Sequence, residues 1–182
     1  MKGLRGFLVV RAPDTGMRYR GVDRVPPYPT DDESERAALE EYVLGDHKDD
    51  TTNLIPSIDD AVRLQRSLSS RAGKYEVLFC CENPDIVRTM EWGGVDIEQL
   101  GYDVAAIRAD YWSIVSDLSK NEWASKFRSR LNEFGLFAGR ADAEAYLREY
   151  RERREPDSDS PFDVVYVFRV DDQKIVHHER KS

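Results

Sequence analysis

Apolar positions along the chain alternate between two spacings, and the changes of spacing mark its elements. Leu4 to Val10, Lys74 to Cys80, Gly101 to Ile107 and Asp163 to Val170 are short runs dense in aliphatic and aromatic residues. Turn formers bound each of them, which is the pattern of strands. The run ending at Cys80 is the densest. The turn Ala12-Pro13-Asp14-Thr15-Gly16 predicts a hairpin that returns through Tyr19 to Val25, and Asp171-Asp172 predicts a second one that closes with Lys174 to His178.

The helical period of three to four residues occupies the middle of the chain. Thr30 and Glu33 stand at capping-box spacing before the apolar stripe Ala38, Leu39, Tyr42 and Val43, which Gly45 ends. Ser57 and Asp60 repeat the signal before Ile58, Ala61, Val62, Gln65 and Leu68. Asn83-Pro84 starts a short helix with Ile86, Val87 and Met90 on one side, because asparagine caps and proline suits the first helical position. Asp96 to Leu100 is expected to add one further turn. Ser119 with Glu122, and Leu118 with Trp123, predict a capped and stapled helix that buries Trp123, Phe127 and Leu131. A last helix is predicted over Arg140 to Arg154, with Ala143, Tyr146, Leu147 and Tyr150 inward.

Strands near both ends and helices between them predict an α+β fold, a mixed and largely antiparallel sheet covered by helices. The 182 residues suit a single domain, expected over 1–178, with 179–182 as a frayed tail.

Charge narrows the classes of partner. The chain carries 35 acidic and 27 Lys or Arg side chains, a net of -8. A nucleic-acid binder needs a basic face to displace counterions, and anionic lipid asks for the same, so neither is the expected partner. No apolar run is long enough for a membrane helix or a secretory signal, which predicts a cytoplasmic location. Cys80 and Cys81 are adjacent, a poor geometry for a disulfide, and read as reduced thiols.

Residues 26–60 hold eleven carboxylates, among them Asp31, Asp32, Glu33 and Glu35, against Arg36 and Lys48. A band netting -9 predicts a surface that steers a basic protein partner, with Tyr28 in Pro26-Pro27-Tyr28-Pro29 as an aromatic anchor beside it. The simpler account is a solvated face kept acidic for solubility. Read this way, the chain is a non-enzymatic interaction module: an inhibitor, an immunity-like binder or an adaptor.

An alternative is a small hydrolase or transferase. Cys81, Glu82 and Asn83 lie where the densest strand passes into a helix start. If segment 101–107 pairs parallel with that strand, the crevice at its carboxyl end is a ligand site. Cys81 would be the nucleophile, with Glu82 and Asp110 as acid and base, and Asn83, Tyr111 and Trp112 as ligand contacts. Asp103 and Ser113 belong to the same neighbourhood. The simpler account makes the cysteines small core residues, Asn83 a cap, and Tyr111 and Trp112 core aromatics. His177 and His178 point to opposite faces of any strand, and His47 is remote, so no metal site and no cofactor is expected.

Overall fold

The computed structural model describes residues 5–11, 33, 37, 54–71, 74–90, 92, 95–107, 111–115, 118, 122–153 and 162–171. Among them the strands are β1 (Arg5–Arg11), β2 (Tyr75–Cys81), β3 (Asp96–Ile107), β4 (Tyr111–Ser113) and β5 (Phe162–Asp171). The helices are α1 (Ile58–Arg71), α2 (Asp85–Thr89) and α3 (Arg140–Arg153), with a 3₁₀ helix over Glu122–Arg130. The predicted segments 19–25, 174–178 and 179–182 lie outside the described residues. So does most of the predicted first helix, of which Glu33 and Ala37 are helical.

The strands form one sheet in the order β1-β2-β5-β3-β4. Every neighbouring pair is antiparallel. The fold is therefore α+β as expected. The parallel pairing of β2 with β3 on which a βαβ site would depend does not occur. They run in the same direction, but β5 lies between them, with Val77 opposite Val170 and Ile97 opposite the same Val170. The carboxyl-end crevice of a βαβ unit is thus filled by a strand.

Both faces of the sheet are buried, which is why the strands read as nearly continuous apolar runs. On one face, Ala61, Val62, Leu64 and Leu68 of α1 cover Phe7, Val9, Val77 and Phe79. On the same face, Ala143, Tyr146, Leu147 and Tyr150 of α3 cover Val104, Ala106 and Phe162. The opposite face gathers Leu8, Leu78, Cys80, Ala105, Tyr111, Val165 and Val167 with Leu54 and Leu136.

Two local expectations are corrected. Asp96 to Leu100 is not a helical turn but the first part of β3. Asp96, Ile97 and Glu98 face Asp171, Val170 and Arg169 of β5, and Glu98 forms an ion pair with Arg169 across the strands. The tertiary pairing outweighs a weak local signal. Trp123, Phe127 and Leu131 do not share one buried stripe of an α-helix. In a 3₁₀ helix residues three apart align, so Ala124 and Phe127 are buried while Trp123 and Leu131 are only partly so.

The edge of β3 beyond β4 is closed by the segment 131–137. Tyr102 and Phe137 exchange backbone hydrogen bonds of 3.0 and 2.9 Å, and the Asn132 side chain donates to the Leu100 carbonyl at 2.6 Å. Gly101 makes this approach possible. A Cβ there would stand 2.8 Å from the Phe137 carbonyl oxygen, and its φ of +155° is one that L side chains rarely adopt.

Candidate functional site

The structure brings part of the predicted chemistry together inside the sheet. Asp103 is fully buried on the middle of β3. Tyr111 and Ser113 stand two apart on β4 and so point to the same face. The Tyr111 hydroxyl donates to Asp103 Oδ2 at 2.7 Å, and the Ser113 hydroxyl and Val104 N–H each donate to Oδ1 at 2.7 Å. Ser113 Oγ in turn accepts from Val115 N–H at 3.2 Å. The Cys80 thiol of β2 is within hydrogen-bonding reach of the Tyr111 hydroxyl.

Burial sets the protonation of this cluster. It raises the Asp103 pKa, and the donors Ser113, Tyr111 and Val104 only partly oppose it. It also raises Tyr111 and Cys80 well above their ordinary values, and the nearby Asp103 carboxyl adds to both shifts. At neutral pH the phenol and the thiol keep their protons, so the cluster donates hydrogen bonds and supplies no nucleophile.

Trp112 lies between Tyr111 and Ser113 but faces the other way. It is 54% exposed and meets the Phe162 ring edge-on, with 6.1 Å between centroids. Of the two aromatics expected to act alike, one is core and the other is at the surface. Strand alternation separates them, and their adjacency in the sequence was the signal.

The strand end at Cys81 has a different character. Cys81 is buried, and burial, with Glu82 adding to it and Arg5 opposing, pushes its thiol up to about 12. Asn83 Oδ1 accepts from Asp85 N–H at 2.9 Å, so it serves as the local cap of α2, a helix of five residues with none buried. Glu82 lines a groove of about 540 Å³ with Arg140, Arg148 and Arg151 of α3 and Asp163 of β5. Arg140 reaches from this groove to the Tyr166 hydroxyl at 2.8 Å and to Glu144 at 2.7 Å. Glu82 and the β3 side of the sheet are two strands apart, roughly 9–10 Å across. Asp110 lies outside the described residues, as do Tyr28, Asp31, Asp32 and Glu35, whereas Glu33 is exposed on helical backbone.

A second concavity, of about 730 Å³, opens at the other end of the strands. Its floor includes Tyr75, Val77, Ile97 and Val170, and its rim includes Lys74, Glu76, Asp96, Glu98, Arg169 and Asp171. Gln65 forms part of its wall and donates to the Tyr75 carbonyl at 2.8 Å. Sequence reasoning did not single out these residues, because they come from four separated elements and share no spacing. Among the described residues no group of three or more His, Cys, Asp or Glu side chains is placed to hold a metal ion. No described helix is long and apolar enough to cross a membrane.

No protein-family model, curated protein or solved structure matches this chain.

Proposed function

We propose that the chain is a non-enzymatic acidic interaction module, an inhibitor, immunity-like protein or adaptor, that binds a basic surface of another protein. The observation that carries this reading is the concentration of charge. Residues 26–60 net -9 in a chain that nets -8, and Glu33 stands exposed on helical backbone within that band. Such a field steers a basic partner and speeds encounter at low salt. The high pKa of the buried Cys81 thiol supports the same reading by weakening the nucleophile that the alternative requires.

The test is affinity capture with the full chain at low and high salt, beside a variant carrying Asp31→Asn, Asp32→Asn, Glu33→Gln and Glu35→Gln. Basic proteins retained by the wild type at low salt, released at high salt and missed by the variant are the expected outcome. Identical capture by both proteins at both salt levels would remove the acidic band as the recognition surface.

The groove beside Glu82 keeps a second reading in view. Arginine side chains facing a carboxylate at a strand end suit a polar substrate, in a small hydrolase or transferase using Cys81, Glu82 and Asp110. A substrate screen with Cys81→Ala and Asp110→Asn as controls tests it. Turnover lost in both variants supports the enzyme, and turnover unchanged in both removes this site.

A further inference from the structure

The 3₁₀ helix over Glu122–Arg130 differs from what its own sequence favours. Its nine residues are long for this form, which rarely runs beyond about three or four. The local signals are those of an α-helix. Ser119 and Glu122 stand at capping-box spacing, and Leu118 and Trp123 at staple spacing. Glu122 also precedes Lys126 by one α-helical turn, the favourable order for an ion pair on an α-helix. A segment whose local preference disagrees with its form is held by contacts from elsewhere.

The contacts that favour the longer form are with α3. Lys126 pairs with Glu149 at 2.5 Å, and Arg130 pairs with Asp142. Both cations also lie over the Phe127 ring, at 5.2 Å and 5.8 Å from its centroid. That ring is buried and meets Tyr146 of α3 edge-on, with 5.3 Å between centroids. Asp142 and Glu149 stand about 10.5 Å apart along the axis of α3. Lys126 and Arg130 stand about 8 Å apart along a 3₁₀ helix but only about 6 Å along an α-helix. The stretched form therefore spans the two acids better. Its period also sets Arg130 on the face of Ala124 and Phe127, whereas an α-helix turns it aside by about 60°.

We propose that residues 122–130 are a two-state spring: a 3₁₀ helix while Lys126 and Arg130 are paired with Glu149 and Asp142, and an α-helix once those pairs are broken. In the α form Lys126 exchanges Glu149 for Glu122, one turn away on its own helix. The segment then shortens by about 4 Å, because each step along it loses about 0.5 Å. That pull falls on the segment that closes the β3 edge. Ala138 N–H donates to the Arg130 carbonyl at 3.3 Å, Leu131 bridges Phe137, and Phe137 exchanges backbone hydrogen bonds with Tyr102. Release of the spring loosens the β3 edge at Tyr102. Both ion pairs lie at the surface, where such pairs are weak and screened by salt. A cationic surface or high salt that competes for Asp142 and Glu149 is the trigger.

The test reads the helix and the edge together in the full chain. Nuclear Overhauser contacts from an Hα to the amide two residues on mark a 3₁₀ helix, and contacts to the amide four residues on mark an α-helix. The wild type at low salt is expected to show the first set across 122–130. Arg130→Glu sets like charges against each other at Asp142. It should replace the first set by the second and speed amide exchange at Tyr102 and Phe137 about tenfold or more. Adding Asp142→Arg restores opposite charges and should return both readouts to those of the wild type, which a general loss of structure would not do. An α-helical pattern in the wild type overturns the proposal, as does a 3₁₀ pattern kept in Arg130→Glu. So does conversion that leaves Tyr102 exchange unchanged, or a failure of Asp142→Arg to reverse it. If Arg130→Glu does not fold, the wild type in about 1 M sodium chloride decides, where the screening length falls to about 3 Å. There the α-helical contacts should grow at the expense of the others, and a pattern unmoved by salt overturns the proposal.

Discussion

The indole of Trp123 stacks on the ring of Tyr146, with 5.7 Å between centroids and 14° between planes. Tyr146 is buried and donates from its hydroxyl to the Ile114 carbonyl at 2.9 Å, while the Arg153 guanidinium lies 5.1 Å from the indole centroid. Trp123 is thus a partly covered lid over an aromatic cluster. Trp123→Ala is expected to cost about 2 kcal/mol, below the 3–5 typical of a fully buried aromatic. Urea denaturation measures it, and a loss below about 0.5 kcal/mol would show that the stack contributes little.

Gly101 leaves no room for a side chain. A Cβ would meet the Phe137 carbonyl oxygen at 2.8 Å, Leu136 Cβ at 2.9 Å and Asn132 Nδ2 at 3.0 Å. Two of these contacts belong to backbone or to a Cβ and cannot swing aside. Gly101→Ala should destabilise by about 2–4 kcal/mol through crowding and the unfavourable φ. Gly139, whose added Cβ would come no closer than 3.6 Å to Asp142, is the control, with an expected change within about 1 kcal/mol.

Asn132 organises the segment that closes the β3 edge. Its Oδ1 accepts from Phe134 N–H at 3.0 Å and Leu136 N–H at 3.2 Å, and its Nδ2 donates to Leu100 at 2.6 Å. Asn132→Ala strips partners from all three backbone groups and is expected to cost about 2–3 kcal/mol. Thermal melts quantify the loss, and faster amide exchange at Leu136 should accompany it. Unchanged exchange there would separate the side chain from the order of the segment.

The cysteines offer a chemical check. With the Cys81 thiol pushed up to about 12, roughly one molecule in 10⁴ carries the thiolate at pH 8. Cys80 is raised as well and fully buried. Iodoacetamide should leave both thiols unmodified in the native protein over a time that fully labels the urea-unfolded chain, as read by mass spectrometry. Rapid native labelling of Cys81 would restore it as a candidate nucleophile.

The local pattern of the chain determined its elements. Dense apolar runs bounded by turn formers became β1, β2, the end of β3 and β5, and the inward residues of α3 are the ones its helical spacing predicts, because those signals come from residues close together in the chain. What only the tertiary structure decided is which strands are neighbours. β5 enters between β2 and β3, so Cys81 faces Tyr166 rather than any residue of β3. That insertion puts packed backbone where the crevice of a βαβ unit would lie. The same long-range pairing made Asp96–Leu100 strand. Strand alternation then sent Tyr111 to Asp103 and Trp112 to the surface. Adjacent letters give the alternation, but which side is core depends on what distant segments, Cys80 and Val165 among them, bring to that face, and no local spacing carries that choice.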